Sequence, residues 1–92
     1  MKFMMTFTWQ PNTEERQEAI KRFKATRGLP PDGVKLLGRW TNADLSGGVD
    51  LLETNDAKRL TEFALMWNDL MGLTITPVLE DAELSEIFER QR

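Results

Sequence analysis

Without a histidine or a cysteine anywhere in 92 residues, the chemistry open to this chain rests on Arg39, Glu53, Asn68 and the tryptophans Trp9, Trp40 and Trp67. Loss of imidazole removes the commonest general base and metal ligand. Loss of the thiol removes disulfides, zinc knuckles and a sulfur nucleophile. A carboxylate is the base that remains. Glu53, at the end of a strand and just before a helix cap, is its candidate, because burial would raise its proton affinity towards neutrality. A glutamate in that place also serves structure alone, by pairing with a cation. Arg39, unless it is simply a solvated edge residue, has two readings of the same kind. One is an ion pair, structural or between subunits, with Asp50 or Glu53 on the neighbouring strand; the other is a clamp for a small carboxylate.

Three tryptophans in so short a chain suggest a lined cleft, although Trp67 shares a helical stripe with Leu60, Phe63 and Ala64 and fits a core role as well. Other patterns carry less. Gly47-Gly48 precedes a strand instead of opening a helix, so its amides do not converge on a phosphate. Asp50, Glu53 and Asp56 straddle a strand and a cap and offer at best a weak hard-cation site. No metal and no cofactor are expected.

Elements must bring these residues together. Phe3, Met5, Phe7 and Trp9 alternate with Met4, Thr6 and Thr8, which predicts a strand over Lys2–Trp9. Pro11 stops it. Asn12 with Glu15 forms a capping-box pattern for a helix whose face is Arg16, Ala19, Ile20 and Phe23. Gly28-Leu29-Pro30 ends that helix. Strands follow at Val34–Thr41 and Val49–Thr54, joined through the polar loop 42–48 as a hairpin. A second helix, capped by Thr54 or Asn55, runs through Met71, with Trp67 in its third turn. A fourth strand spans Leu73–Leu79, and a short amphipathic helix spans Asp81 to about Arg90.

The order β-α-β-β-α-β plus a terminal helix predicts a single ferredoxin-like α+β domain over residues 1–92. Right-handed crossovers place two helices on one face of a four-stranded antiparallel sheet. Strict alternation puts Leu36, Gly38 and Trp40 on one face of the second strand and Lys35, Leu37, Arg39 and Thr41 on the other. Met4, Leu37 and Leu52 then oppose Met5, Leu36 and Leu51, so both faces are apolar and the helix-free face needs cover. Face-to-face homodimerisation supplies it, with Leu37 or Leu52 at the contact.

The runs Leu29-Pro30-Pro31-Asp32-Gly33-Val34-Lys35, Leu37-Gly38-Arg39-Trp40, Leu52-Glu53-Thr54-Asn55-Asp56, Trp67-Asn68-Asp69-Leu70-Met71 and Thr74-Ile75-Thr76-Pro77-Val78-Leu79-Glu80-Asp81 resemble a family of short bacterial proteins known only as a domain of unknown function. The likeness covers nearly the whole chain. It implies membership of the dimeric α/β-barrel group, in which two ferredoxin-like subunits press their sheets together. Many members carry histidine after Gly-Arg-Trp; Thr41 stands there in this chain, which removes imidazole chemistry from that position. In the same fold group, cofactor-independent oxygenases place a tryptophan and an asparagine in the cleft between helix and sheet, and Trp67-Asn68 with Trp9 loosely resembles that arrangement. Haem-degrading members use a histidine ligand, which is absent here.

Composition limits the rest. Hydrophobic residues are 40% and charged residues 29% of the chain, with 12 basic and 15 acidic side chains, which fits a folded soluble protein. Residues 80–92 hold five acids and two arginines, leaving ten of each sign in residues 1–79. A neutral body with an acidic tail argues against nucleic-acid binding. No apolar run approaches a membrane span, and the apolar start is too short for a signal peptide, so a cytoplasmic location is expected. Two functions follow. One is binding of a small apolar or aromatic molecule in a cleft lined by Trp9, Arg39, Trp40, Glu53, Trp67 and Asn68, with an oxygenase-like enzyme as its catalytic variant. The other is a structural or regulatory homodimer with no ligand.

Overall fold

The computed structural model describes residues 1–9 and 13–91, so the stop at Pro11 and the Asn12 half of the first capping box lie outside the described residues. Within them the order is β1 (Lys2–Trp9), α1 (Thr13–Thr26), β2 (Lys35–Thr41), β3 (Gly47–Glu53), α2 (Ala57–Leu65), β4 (Met71–Val78) and α3 (Asp81–Arg90). The strands form one antiparallel sheet in the order β2-β3-β1-β4. This is a ferredoxin-like α+β fold.

Residues directly opposite one another in an antiparallel sheet share a face, so the register sorts the side chains. Leu36, Leu52, Phe3 and Pro77 form one cross-strand row, Arg39, Asp50, Met5 and Ile75 the next, and Thr41, Gly48, Phe7 and Leu73 a third. These rows face the core, which gathers Met5 and Leu52 from the sheet, Ala19 from α1, and Leu60, Phe63, Trp67 and Leu70 from α2 and the turn after it. The other face carries Gly38, Leu51, Met4 and Thr76 in one row and Trp40, Val49, Thr6 and Thr74 in another.

Strict alternation in β2 is therefore corrected. A bulge between Leu36 and Gly38 puts Leu36 and Arg39 on the same, core-facing side. The extra residue is Leu37, and inserting it shifts the period by one from there on. Leu52 is fully buried in the core and cannot meet a partner sheet. Met4, Leu51, Val49 and Trp40 are apolar side chains on the open face.

The ends of the elements also differ from the sequence pattern. The N-cap of α2 is Asp56, whose carboxylate accepts from the Lys58 amide at 3.0 Å. Thr54, one residue past β3, instead donates its hydroxyl to the Gly33 carbonyl at 2.8 Å and accepts from the Asp56 amide at 3.1 Å. α2 ends at Leu65, and residues 66–70 continue as tight turns with Trp67 and Leu70 amides bonding three residues back. Trp67 therefore sits in that turn and not in the helix. β4 begins at Met71, which pairs with Trp9; at the next pair, Gly72 with Thr8, a Cβ would stand 2.9 Å from the threonine hydroxyl.

α1 is the loosest part of the core layer. Its 14 residues bury only Ala19, while Ile20 and Phe23 stay 39% and 47% exposed. Its C-terminus is held by an unusual pair of left-handed residues, Arg27 (φ 59°) and Gly28 (φ 63°).

Candidate functional site

Between α1 and the sheet lies a cavity of ≈ 210 Å³. Its floor is the row from Arg39 through Asp50 to Met5, with Phe7, Trp9 and Met71 beyond. Ala19, Ile20 and Phe23 form the α1 wall, and Phe63 and Trp67 close the α2 side. It exists because α1 packs through one small residue: Ala19 reaches the core while Ile20 and Phe23 stand back from it. Leu45, from the β2–β3 hairpin, lines the same cavity in a left-handed conformation (φ 62°), a strained state for a branched side chain. The hairpin holds that shape through Asp44, which accepts from the Ser46 amide at 3.0 Å and hydroxyl at 2.7 Å. Those bonds hold the Asp44 carboxyl below the usual aspartate range.

Arg39 is committed to structure. Its Nε and Nη2 reach the two oxygens of Asp50 at 2.7 and 3.1 Å, its Nη1 bonds the Arg27 carbonyl at 3.1 Å, and its Nη2 also bonds the Gly28 carbonyl at 2.6 Å. The guanidinium thus caps the C-terminus of α1 and ties it to the sheet, where the helix dipole favours a cation. It also lies 5.7 Å from the centre of the Phe23 ring. Gly28 is required for this approach, because a Cβ there would stand 2.5 Å from Nη1. Asp50 is 1% exposed, so the pair is an intrachain, buried one. Of the partners weighed from sequence, Asp50 is the one that pairs, and the pair faces the helices, not a second sheet. An anion clamp would need a cation that is not already neutralised.

Two of the lining residues also carry a buried polar atom with no partner. Among the described residues neither Trp9 Nε1 nor Trp67 Nε1 finds a hydrogen-bond acceptor, although both atoms are buried. Trp67 is 6% exposed and its ring lies 5.6 Å from the Arg22 guanidinium. Arg22 in turn joins α1 to the turn after α2, reaching Asp69 at 2.9 and 3.0 Å and the Met66 carbonyl at 2.7 Å. This pairing holds the Asp69 carboxyl below the usual aspartate range and raises Arg22 further. Trp9 stacks edge-on against Phe7, with ring centres 5.6 Å apart.

The fold brings together Trp9, Arg39 and Trp67 around this cavity. It places the other three candidates elsewhere. Trp40 is 60% exposed on the open sheet face, its indole lying over Gly38. Glu53 lies at the far end of the sheet, in register with Lys2 and Lys35, and lines a shallow groove with Met1, Val34, Thr54 and Asn55. Asn68 is exposed in the turn after α2. Sequence reasoning missed Ile20, Phe23 and Leu45 as lining residues. Leu45 carried a signal, being the one large apolar residue in the polar loop 42–48. The Arg22–Asp69 pair carried none, because its members lie 47 positions apart.

Among the described residues no helix is long and apolar enough to cross a membrane. The whole chain, residues 1–92, matches the family described as "Domain of unknown function (DUF3303)". No curated protein matches it. Among solved structures it is similar to Rv0793 from Mycobacterium tuberculosis, with a TM-score of 0.55 and 14% sequence identity over 89% of this chain and 99% of that one. At that identity the likeness supports the ferredoxin-like fold alone.

Proposed function

Because the chain belongs to the DUF3303 family, whose description names no activity, its function has to be read from the cavity, and we propose that it binds a small neutral molecule there, apolar or aromatic and bearing a hydrogen-bond acceptor. The observation that carries this reading is the pair of buried indole donors, Trp9 Nε1 and Trp67 Nε1, on residues that line a mainly apolar cavity whose charged pair, Arg39 and Asp50, is already self-paired. A buried donor without an acceptor costs about 1–3 kcal/mol. A ligand oxygen or ring nitrogen would recover that cost on binding. Size supports a one- or two-ring molecule, since apolar cavities of about 150 Å³ accept benzene and this one is ≈ 210 Å³. Charge selects against carboxylates, because Arg39, the cation of the lining, already spends its charge on Asp50.

The proposed protein is a homodimer joined through the open sheet faces, with Met4, Val49, Leu51 and Trp40 at the contact. That face is apolar along its middle and no helix of the described chain covers it, which favours burial against a like surface. An enzymatic role would have to draw on the substrate's own reactivity. Asp50 is the one carboxylate lining the cavity, and it is held by Arg39.

Native mass spectrometry of protein purified gently from its host tests the reading. A non-covalent adduct on a dimer, lost on denaturation, supports it and gives the ligand's mass. A clean dimer that shows no change in tryptophan emission with acetophenone or other neutral aromatic ketones sinks it in favour of the structural dimer.

A further inference from the structure

α3 buries none of its ten residues, yet it is built as a docking helix. Leu84, Ile87 and Phe88 form one stripe at helical spacing and are 38%, 42% and 63% exposed, preceded by Leu79 at 54%. Such a stripe belongs against another surface. The chain is correspondingly long and thin, 54 × 28 × 17 Å, with a radius of gyration of 15.3 Å, where a compact chain of this length would have about 12 Å. The helix start is fixed on the body: Glu80 and Glu83 form a capping box, and Lys2 pairs with Glu80. The apolar stripe is therefore held in a set direction.

Charge says what it fits. α3 and its cap carry Glu80, Asp81, Glu83, Glu86 and Glu89 against Arg90. The matching surface on this chain is the C-terminal half of α1, where exposed Lys21, Lys24 and Arg27 surround the half-exposed Ile20 and Phe23. The two surfaces belong to opposite edges of the sheet. α3 leaves from edge strand β4, while Arg39 of edge strand β2 holds the end of α1. Those edge strands stand three spacings of about 4.8 Å apart, with β3 and β1 between them.

We propose that α3 is an intersubunit arm, docking on the C-terminal half of α1 of a second copy of this chain. Ile20 and Phe23 line the cavity, so the arm of one subunit closes the outer wall of the other's binding site. The proposal rests on the reading of the chain as a homodimer and adds the contact that couples the dimer to the cavity.

Because the chain has no native cysteine, a pair of engineered ones reports the contact directly. Lys24→Cys in α1 and Ser85→Cys in α3 both replace exposed residues. Mild oxidation of the full chain carrying both should give a covalent dimer on a non-reducing gel, with neither single variant doing so. Adding Phe88→Asp should abolish most of that band. A bridge within one chain, or no bridge in a protein that light scattering shows to be a dimer, overturns the arm and leaves the dimer standing. A mass equal to one 10.6 kDa chain for the untreated wild type overturns both.

Discussion

Arg39 and Asp50, facing each other across β2 and β3, form a two-pronged ion pair at 2.7 and 3.1 Å whose arginine also caps α1. The carboxylate is almost fully buried and the guanidinium mostly so. One interaction therefore fixes the sheet edge, the helix end and the floor of the cavity.

Removing either partner strands the other. Asp50→Ala should cost about 3–5 kcal/mol, the usual effect of leaving a buried charge unpaired. Arg39→Lys should recover little of the loss from Arg39→Ala, because an ammonium cannot span both carboxylate oxygens and two carbonyls at once. Urea denaturation of the three variants checks this. A cost below about 1 kcal/mol for Asp50→Ala would mean the pair is a solvated contact.

The unpaired indoles make an opposite prediction. Trp67→Phe deletes a donor that has no acceptor, so the loss of stability in the empty protein should be small for so large a core residue, about 1–2 kcal/mol from the lost ring volume. Binding of a ketone-bearing aromatic should weaken about tenfold, the worth of one hydrogen bond. Thermal melts with and without acetophenone separate the two effects, and equal loss in both conditions would deny the indole a role in binding.

Arg27 occupies a left-handed position with an ordinary side chain. Arg27→Gly removes that strain while keeping the carbonyl that Arg39 uses, and should raise stability by about 0.5–1 kcal/mol. The urea midpoint should rise with an unchanged slope.

Acid should loosen the join between α1 and the turn after α2. Asp69 binds its proton less readily when folded, through its bonds to Arg22. Its contribution is therefore fully present above the ordinary aspartate value of 3.8 and disappears as pH falls through the lower folded value. Asp69→Asn should be less stable than wild type at about pH 6 and indistinguishable from it near pH 2. Asp69 is exposed and Arg22 partly so, so the difference at neutral pH will be modest. A gap that persists in strong acid would show that the carboxylate's charge is not what matters.

The open face has its own test. Leu51→Glu and Met4→Glu should each leave the fold intact and split the proposed dimer, whereas Leu52→Glu should unfold the chain by burying a charge in the core. Light scattering and circular dichroism distinguish the three. A dimeric Leu51→Glu protein would exclude contact through this face.

Most of the fold was legible in the residues because its signals are local. Alternation from Phe3 to Trp9, the Gly28-Leu29-Pro30 stop and the polar 42–48 hairpin each act within a few positions. What escaped was set by pairing between strands. The bulge at Leu37 is flanked by Gly38, a glycine inside a strand that hints at an irregularity without saying where the register shifts, and that shift decides which of Leu36, Leu37 and Arg39 face the core. The site was half legible for the same reason. Trp9 and Trp67 follow from their elements, but Trp40 and Glu53 were assigned to the cleft when the register turns them away from it. The α1 wall was hidden because its apolar face looked like ordinary core, and only packing through Ala19 alone leaves Ile20 and Phe23 at a gap.

That thin attachment has a kinetic consequence. α1 is fastened through one small core residue and two arginine clamps, Arg39 at its end and Arg22 along its side, while α2 buries Leu60 and Phe63 outright. The helix forms a separate unit of low local stability. Its amides should exchange with solvent well before those of α2 or the central strands, in openings that leave the sheet whole. Each such opening lifts one wall of the cavity, so a molecule bound between that wall and the sheet should slow the exchange of the α1 amides while leaving those of the central strands unchanged.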